Sequence, residues 1–305
     1  MLKYLYRDGD ENITLVKAVK RQLSEWSTET KLARKQYAYK DFKILSKWIG
    51  NYHRGMFFQP LLSKDTTDIT LIKSHRPVRI TFRKNQSDLY ILRENFVHNI
   101  YDFEYEKFLP EVSYILDLGA NIGLSSLYFQ MRFQNAQIIC VEPVQENIEI
   151  LKQNAYINNF SWEVEKAAIQ AKQAEVILYP NEWWSSSTVT KSVANKRESH
   201  TGRFEHKLKL TPKKIKGLTV SNILDKYQIA TADILKMDIE GAEEQCILDS
   251  PQWLRRVKVL IIEIHEKYVN RNKITTALAK NGFTMMSGRS GPTDVFINEE
   301  VLNYA

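Results

Sequence analysis

Tyr114-Ile-Leu-Asp-Leu-Gly-Ala-Asn-Ile-Gly123 is a short apolar run that ends in an acidic residue and a glycine-containing turn, and residues 124–133 behind it have helical spacing. Strand, tight turn and helix form the opening unit of a βαβ fold. Toward the C-terminus the unit recurs. Gln137-Ile-Ile-Cys-Val141 reads as a second strand and 147–158 as a helix, 162–168 as a third strand and 219–227 as a helix. Residues 233–237 form a fourth strand, 241–248 a helix, and 257–264 a fifth strand apolar enough to be buried on both faces. A helix over 274–280 and strands over 283–286 and 294–298 complete the series. This alternation predicts an α/β domain over residues 111–305, with a doubly wound, mostly parallel sheet covered on both sides. The interval 172–216 departs from the rhythm. Residues 175–179 and 207–210 read as strands flanking a polar, Ser-rich loop, an insertion of the kind that forms binding loops or lids.

Toward the N-terminus the pattern is different. Val16, Val19, Leu23 and Trp26 recur at spacings of three and four, as do Tyr39, Phe42, Leu45 and Ile49, which predicts two amphipathic helices closed by Gly50 and Gly55. Ile69-Thr-Leu-Ile72, Val78-Arg-Ile-Thr-Phe82 and Leu89-Tyr-Ile-Leu92 then read as short strands. The expected organisation is a helical cap over 1–66, a β-rich lead-in over 67–110 and the α/β domain. The N-terminal third and the 172–216 insertion are expected to cover the substrate and set its identity.

Among the 305 residues, 43% are hydrophobic and 26% charged, proportions that exclude a disordered chain, a collagen and a disulfide miniprotein. No run approaches the roughly 18 apolar residues of a membrane helix, and the N-terminus is too polar for a secretory leader, so a cytoplasmic location with no membrane partner is expected. Cys140 and Cys246 sit in apolar runs away from any Cys-x-x-Cys, which reads as core packing and argues against a zinc site. The net charge of +7 is concentrated: residues 1–110 carry 20 basic against 13 acidic side chains, and 191–216 carry nine basic residues against Glu198 and Glu205. Such asymmetry fits an anionic partner, and equally two solvated faces.

Open α/β sheets bind ligands beyond the carboxyl ends of their strands, where strand order reverses. In the first loop, Gly119 and Gly123 allow close backbone approach and a sharp turn, and Asn121 tolerates a left-handed conformation, with Ala120 between them. The second loop opens Glu142-Pro143, an acidic residue about 20 positions beyond the glycine turn and placed to accept from ribose hydroxyls. Together they indicate a nucleoside cofactor. Asp117 stands where a dinucleotide's pyrophosphate would lie, and G-x-G-x-x-G spacing is absent. A carboxylate there suits instead the sulfonium and ammonium of S-adenosylmethionine. The fourth strand runs into Asp238-Ile-Glu240-Gly-Ala-Glu243 and the fifth into Glu263-Ile-His265. Asp238 and Glu240 share a parity, as do Glu263 and His265, so acidic groups and a histidine converge at one sheet edge, where they would deprotonate and orient a hydroxyl or amine acceptor. His265 reads as catalytic or as a satisfied structural histidine, and Glu243 as a plain helix-dipole partner. A divalent metal held by these carboxylates is an alternative the spacing leaves open, and none is expected.

Four stretches, 114–123, Val141-Glu-Pro143 with Asn147 and Asn154, Lys236-Met-Asp-Ile-Glu-Gly-Ala-Glu243 and Ile262-Glu-Ile-His265, resemble the successive signatures of the FkbM family of methyltransferases. The likeness covers about residues 78–298. It implies a Rossmann-like class I methyltransferase with a seven-stranded sheet whose last strand is antiparallel, acting on a hydroxyl of a sugar or secondary metabolite in bacterial biosynthesis. By the same resemblance Asp117, Gly119, Ala120, Asn121, Gly123, Glu142 and Pro143 bind the cofactor, Ala168 lies beside the adenine, and Asp238 and Glu240 face the transferred methyl.

Remaining features are ambiguous in sequence. Trp183-Trp-Ser-Ser-Ser187 is either an aromatic platform for a ring or ordinary packing. The basic and aromatic residues from Lys35 to Trp48 fit a core face with a basic rim better than a single-strand binder. The expected partner is therefore a small molecule, with an anionic or carrier-bound form allowed and nucleic acid disfavoured; the alternatives are an amine, a tethered or a nucleic-acid acceptor, or a non-catalytic assembly role. A homo-oligomer through the N-terminal helices is an allowed arrangement.

Overall fold

The computed structural model describes residues 15–57, 62–73, 76–179, 187–189, 211–286 and 292–303. The chain divides into two compact units, residues 1–99 and 100–305.

In the first unit, α1 (Leu15–Gln36) and α2 (Tyr39–Phe57) precede an antiparallel hairpin of β1 (Leu62–Lys73) and β2 (Arg76–Asn85), with Ile69 opposite Ile80. Three local expectations change. Leu23 lies on the open side of α1, 51% exposed, while Gln22, Glu29 and Ala33 face inward. The cause is a polar network. Glu29 accepts from Arg93 and meets the Nε2 of His53 at 3.0 Å, and His53 Nδ1 meets Gln22 at 2.9 Å. Gly50 and Gly55 do not close α2 but lie inside it, because a Cβ would stand 3.2 Å from Trp26 at the first and 2.0 Å from Gln86 at the second. Finally, residues 89–92 belong to a helix, α3 (Gln86–Arg93), whose start is fixed by the Asn85 side chain accepting from the Asp88 N–H at 2.7 Å. Asp88 in turn takes two N–H groups of the Arg83 side chain, each at 2.9 Å. Capping outweighs the strand-like composition.

The second unit is built on a mixed seven-stranded sheet. β3 (Tyr114–Leu118), β4 (Gln137–Val141), β5 (Glu163–Glu165), β9 (Ala232–Met237) and β10 (Val257–Glu263) pair in parallel, and β12 (Thr293–Asn298) runs antiparallel to β10 and to β11 (Phe283–Met285). The spatial order is β11-β12-β10-β9-β3-β4-β5, so the chain steps outward from β3 in one direction and from β9 to β10 in the other, with β11 at the edge and β12 inserted between it and β10. The reversal falls between β3 and β9, which is where a Rossmann-like sheet opens its ligand crevice. Helices α4 (Leu124–Arg132), α5 (Gln145–Ile157), α6 (Val220–Lys226), α7 (Glu243–Leu248) and α8 (Arg271–Lys280) connect the strands, and α9 (Glu299–Asn303) follows β12. Every residue of β9 is buried, and Leu235, Met237, Leu260 and Ile262 pack with Ile223, Ile247 and Leu278 in one core.

The expected third strand splits. Only 163–165 join the main sheet; Ala168–Ile169 form β6 of a three-stranded sheet with β7 (Ala174–Leu178) and β8 (Lys213–Leu218). β8 was hidden in the sequence by Lys213, Lys214 and Lys216, all exposed, which surround a half-buried Ile215. The expected strand over 207–210, residues 183–186 and, of the basic stretch 191–216, residues 191–210 lie outside the described residues. None of the described helices is long and apolar enough to cross a membrane.

Candidate active site

The turn after β3 is made by backbone geometry. Gly119, Asn121 and Gly123 all adopt positive φ, at 78°, 50° and 83°. At Gly119 the demand is double, since a Cβ would come within 1.9 Å of the Asp238 carbonyl oxygen in the loop after β9. The N–H groups of Gly119 and Ala120 both donate to the Val141 carbonyl, at 2.9 and 3.1 Å, and Asp238 N–H donates to Leu118. The three loops after β3, β4 and β9 are thereby held against one another.

Glu142 is the organiser of the β4 side. Its Oε2 accepts the Asn121 N–H at 2.9 Å, and its Oε1 accepts Val144 N–H at 2.9 Å and Asn147 Nδ2 at 3.1 Å. Pro143 has no N–H, which is why the amide of Val144 is the one that turns back. A carboxylate offers roughly four lone-pair sites, so Oε2 retains capacity for a ligand hydroxyl. Burial pushes the Glu142 carboxyl up to about 7, against the lowering effect of the Val144, Asn147 and Asn121 bonds. In the same turn Asn121 Oδ1 is buried with no hydrogen-bond partner among the described residues. An unsatisfied acceptor beside a carboxylate with spare capacity fits a nucleoside rich in N–H and O–H donors.

Asp117 has other neighbours than the cofactor cations assigned to it from sequence. Its side chain is 0% exposed; Oδ2 accepts the hydroxyls of Ser125 and Ser126 at 2.5 and 2.6 Å, and Oδ1 lies 3.2 Å from Lys236 Nζ. A carboxylate so enclosed works beneath the turn. Lys236 also donates to the Gly119 carbonyl at 2.7 Å and stands 3.7 Å from Asp238. Burial lowers the tendency of that ammonium to hold its proton, but Asp117 and Asp238 more than restore it, and its pKa is raised. Lys236 and the two serines were missed in the sequence. A lone lysine between Leu235 and Met237 of a buried strand was the available signal for the first, since lysine is almost never fully buried unless paired. Ala168 is buried in β6 opposite Gly217, and Glu165, at the end of β5, accepts the N–H of Glu142.

On the β9–β10 side, Asp238, Glu240 and His265 do come together. His265 Nε2 lies 3.4 Å from Glu240, 3.8 Å from Asp238 and 3.9 Å from Glu263, while Nδ1 meets Glu243 at 2.9 Å. Glu240 holds a left-handed backbone, φ 58°, and its carbonyl accepts the Thr188 hydroxyl at 2.8 Å, which brings one described residue of the insertion to this loop. Burial alone would lower the His265 pKa, but Glu240, Glu243 and Asp238 push it up to about 11. The ring is thus held as an imidazolium at neutral pH, a form that cannot accept a proton. Asp238, Glu240 and His265 also offer ligand atoms within 4.8 Å of one another, a spacing a metal ion could occupy only by displacing the imidazolium proton.

Residues 117–285, more than half of the chain, match the methyltransferase FkbM domain. Methyltransferase sdnD of Sordaria araneosa is 26% identical over 225 residues, covering 66% of this chain and 84% of that protein. A Streptomyces tacrolimicus protein named 31-O-demethyl-FK506 methyltransferase FkbM is 22% identical over 191 residues, 57% of this chain and 73% of its own. Among solved structures, methyltransferase FkbM from Methylobacillus flagellatus KT aligns over 92% of this chain and 59% of that one, at 12% identity and a TM-score of 0.43.

Proposed function

The chain belongs to the FkbM family of methyltransferases, which are S-adenosylmethionine-dependent enzymes, and from that premise we propose that it methylates a hydroxyl group on a sugar or secondary-metabolite intermediate. The reading rests on one observation above the others: Asp238 and Glu240 stand at the strand reversal, with the Asp238 carbonyl against Gly119 of the nucleoside turn. The name of the Streptomyces tacrolimicus relative, which specifies an O-demethyl substrate, supports oxygen as the accepting atom.

When bound, S-adenosylmethionine supplies an electrophilic methyl group on a sulfonium. The chain's own residues do the rest. The 119–123 turn and Glu142 hold the nucleoside, with Glu142 Oε2 taking a ribose hydroxyl and Asn121 Oδ1 a further donor. Asp238 and Glu240 would orient the acceptor hydroxyl toward the methyl donor, and one of them would take its proton. The His265 imidazolium balances the carboxylates around it, and Lys236 ties the Gly119 carbonyl to Asp117 and Asp238.

Methyl-labelled donor offered with hydroxylated sugars and polyketide-like alcohols tests this. Label is expected in an alkali-stable ether, with Asp238→Ala and Glu240→Ala lowering kcat by about 100-fold or more and donor affinity far less. Transfer to amines alone, or full turnover by both variants, overturns it.

A further inference from the structure

A carboxylate in the first turn of a helix ordinarily needs no more explanation than the helix dipole, and it is ordinarily solvated. Glu243 is not solvated. Its side chain is 0% exposed, and a buried carboxylate is costly unless it is bound to groups of matching charge and hydrogen-bonding capacity. Its Oε1 is committed twice, accepting the Gly241 N–H at 3.0 Å and lying 2.9 Å from His265 Nδ1, while Oε2 has no hydrogen-bond partner among the described residues. Gly241 follows Glu240 directly, and both have positive φ, at 99° and 58°. One oxygen atom thus pins both the backbone that presents Glu240 and the ring that faces it.

We propose that Glu243 is a positioning residue for methyl transfer: it fixes the His265 ring through Nδ1 so that Nε2 stands between Asp238 and Glu240 and holds those two carboxylates at a set spacing. The inference rests on the reading of Asp238 and Glu240 given above. The groups facing His265 are Asp238 and Glu240 from the segment joining β9 to α7, Glu243 from the start of α7, and Glu263 from β10, with Lys236 beside Asp238. Without Glu243 the ring loses the only contact on its Nδ1 side recorded among the described residues. It is then able to turn, and its hold on Glu240 goes with it. Outer carboxylates that orient an imidazole in this way typically matter by about 10- to 100-fold.

Two variants of the full chain separate positioning from bulk stability. Glu243→Gln keeps an acceptor for Nδ1–H and for Gly241 but removes the charge; Glu243→Ala removes both. In ¹⁵N-histidine spectra, the His265 Nδ1–H, assigned by its absence in His265→Asn, is expected as a slowly exchanging downfield proton, retained in Glu243→Gln and lost in Glu243→Ala. In turnover, kcat is expected to fall about 10-fold in the first and about 100-fold in the second with the donor KM little changed. The alkaline limb of the kcat profile moves toward neutral pH in the first. A downfield proton that survives in Glu243→Ala, or a kcat loss that only tracks the unfolded fraction with an unmoved alkaline limb, overturns the proposal. Should Glu243→Ala fail to fold, the limb in Glu243→Gln decides. Should the wild type methylate no hydroxyl at all, the parent reading fails, while the proton spectrum still reports whether Glu243 holds the ring.

Discussion

Around Glu29 in the first unit, one carboxylate is gripped by cations and imidazoles; around His265 in the second, one imidazole is gripped by carboxylates. Both clusters are made of Glu, His and a long basic residue, and both are largely buried. Their environments differ. Glu29 is 2% exposed, His53 0%, and Arg93 stacks 3.9 Å over the Tyr52 ring, so the network ties α1, α2 and α3 together around buried carboxylate oxygens, with the His98 imidazole, 35% exposed, at its edge. Burial would raise the Glu29 carboxyl, but Arg93, His53 and His98 hold it far below the ordinary carboxylate range. At His265 the side chains of Asp238, in the loop after β9 whose backbone is left-handed at Glu240, and of Glu263, at the end of β10, remain about a quarter open to water, beside a glycine turn. Closed charge clusters of this kind hold a unit together; those with an open carboxylate edge and a strained backbone are where chemistry is done.

The largest effect that would break this contrast is on stability. Glu29→Ala leaves Arg93 buried without its partner, and a loss of about 3–5 kcal/mol in urea unfolding is expected. His265→Asn is expected to cost about 1–2 kcal/mol while removing most turnover. Equal stability losses, or a Glu29 variant as stable as the wild type, would remove the distinction.

A smaller effect separates Glu142 from both clusters. Its folded pKa of about 7 lies above the ordinary 4.5, so between those values the folded state holds a proton that the unfolded state has released. From this group, stability rises as pH falls from 7 toward 4.5, the reverse of the usual carboxylate trend. Glu142→Gln is therefore expected to raise the Tm at pH 8, to leave it nearly unchanged at pH 4.5, and to weaken donor binding throughout. A Tm difference independent of pH would contradict the assigned shift.

Much of this was legible beforehand, for identifiable reasons. β3, β4, β9 and β10 announce themselves as largely apolar runs, while β5, Glu163-Val-Glu165, does not, and the 119–123 turn and Glu142 carry their geometry in residue type. Where the sequence reading departs from the structure, the deciding contact is distant. Leu23 was placed inward because the apolar spacing of α1 is silent about Glu29, which meets His98 69 residues away. Gly50 and Gly55 looked like helix stops because nothing local shows that Trp26 and Gln86 need the space. Asp117 was aimed at the cofactor because a strand buried on both faces has no alternation to say which way a side chain points, and only Lys236, 119 positions on, reveals it. Glu243 was assigned a dipole role because His265 is 22 residues ahead of it.

A crystal structure with S-adenosylhomocysteine bound tests the placement of the chemistry most directly. It is expected to show a ribose hydroxyl on Glu142 Oε2, a donor on Asn121 Oδ1, and the sulfur directed toward Asp238 and Glu240. A nucleoside seated elsewhere, with Glu142 still bonded only to Asn121, Val144 and Asn147, would contradict it.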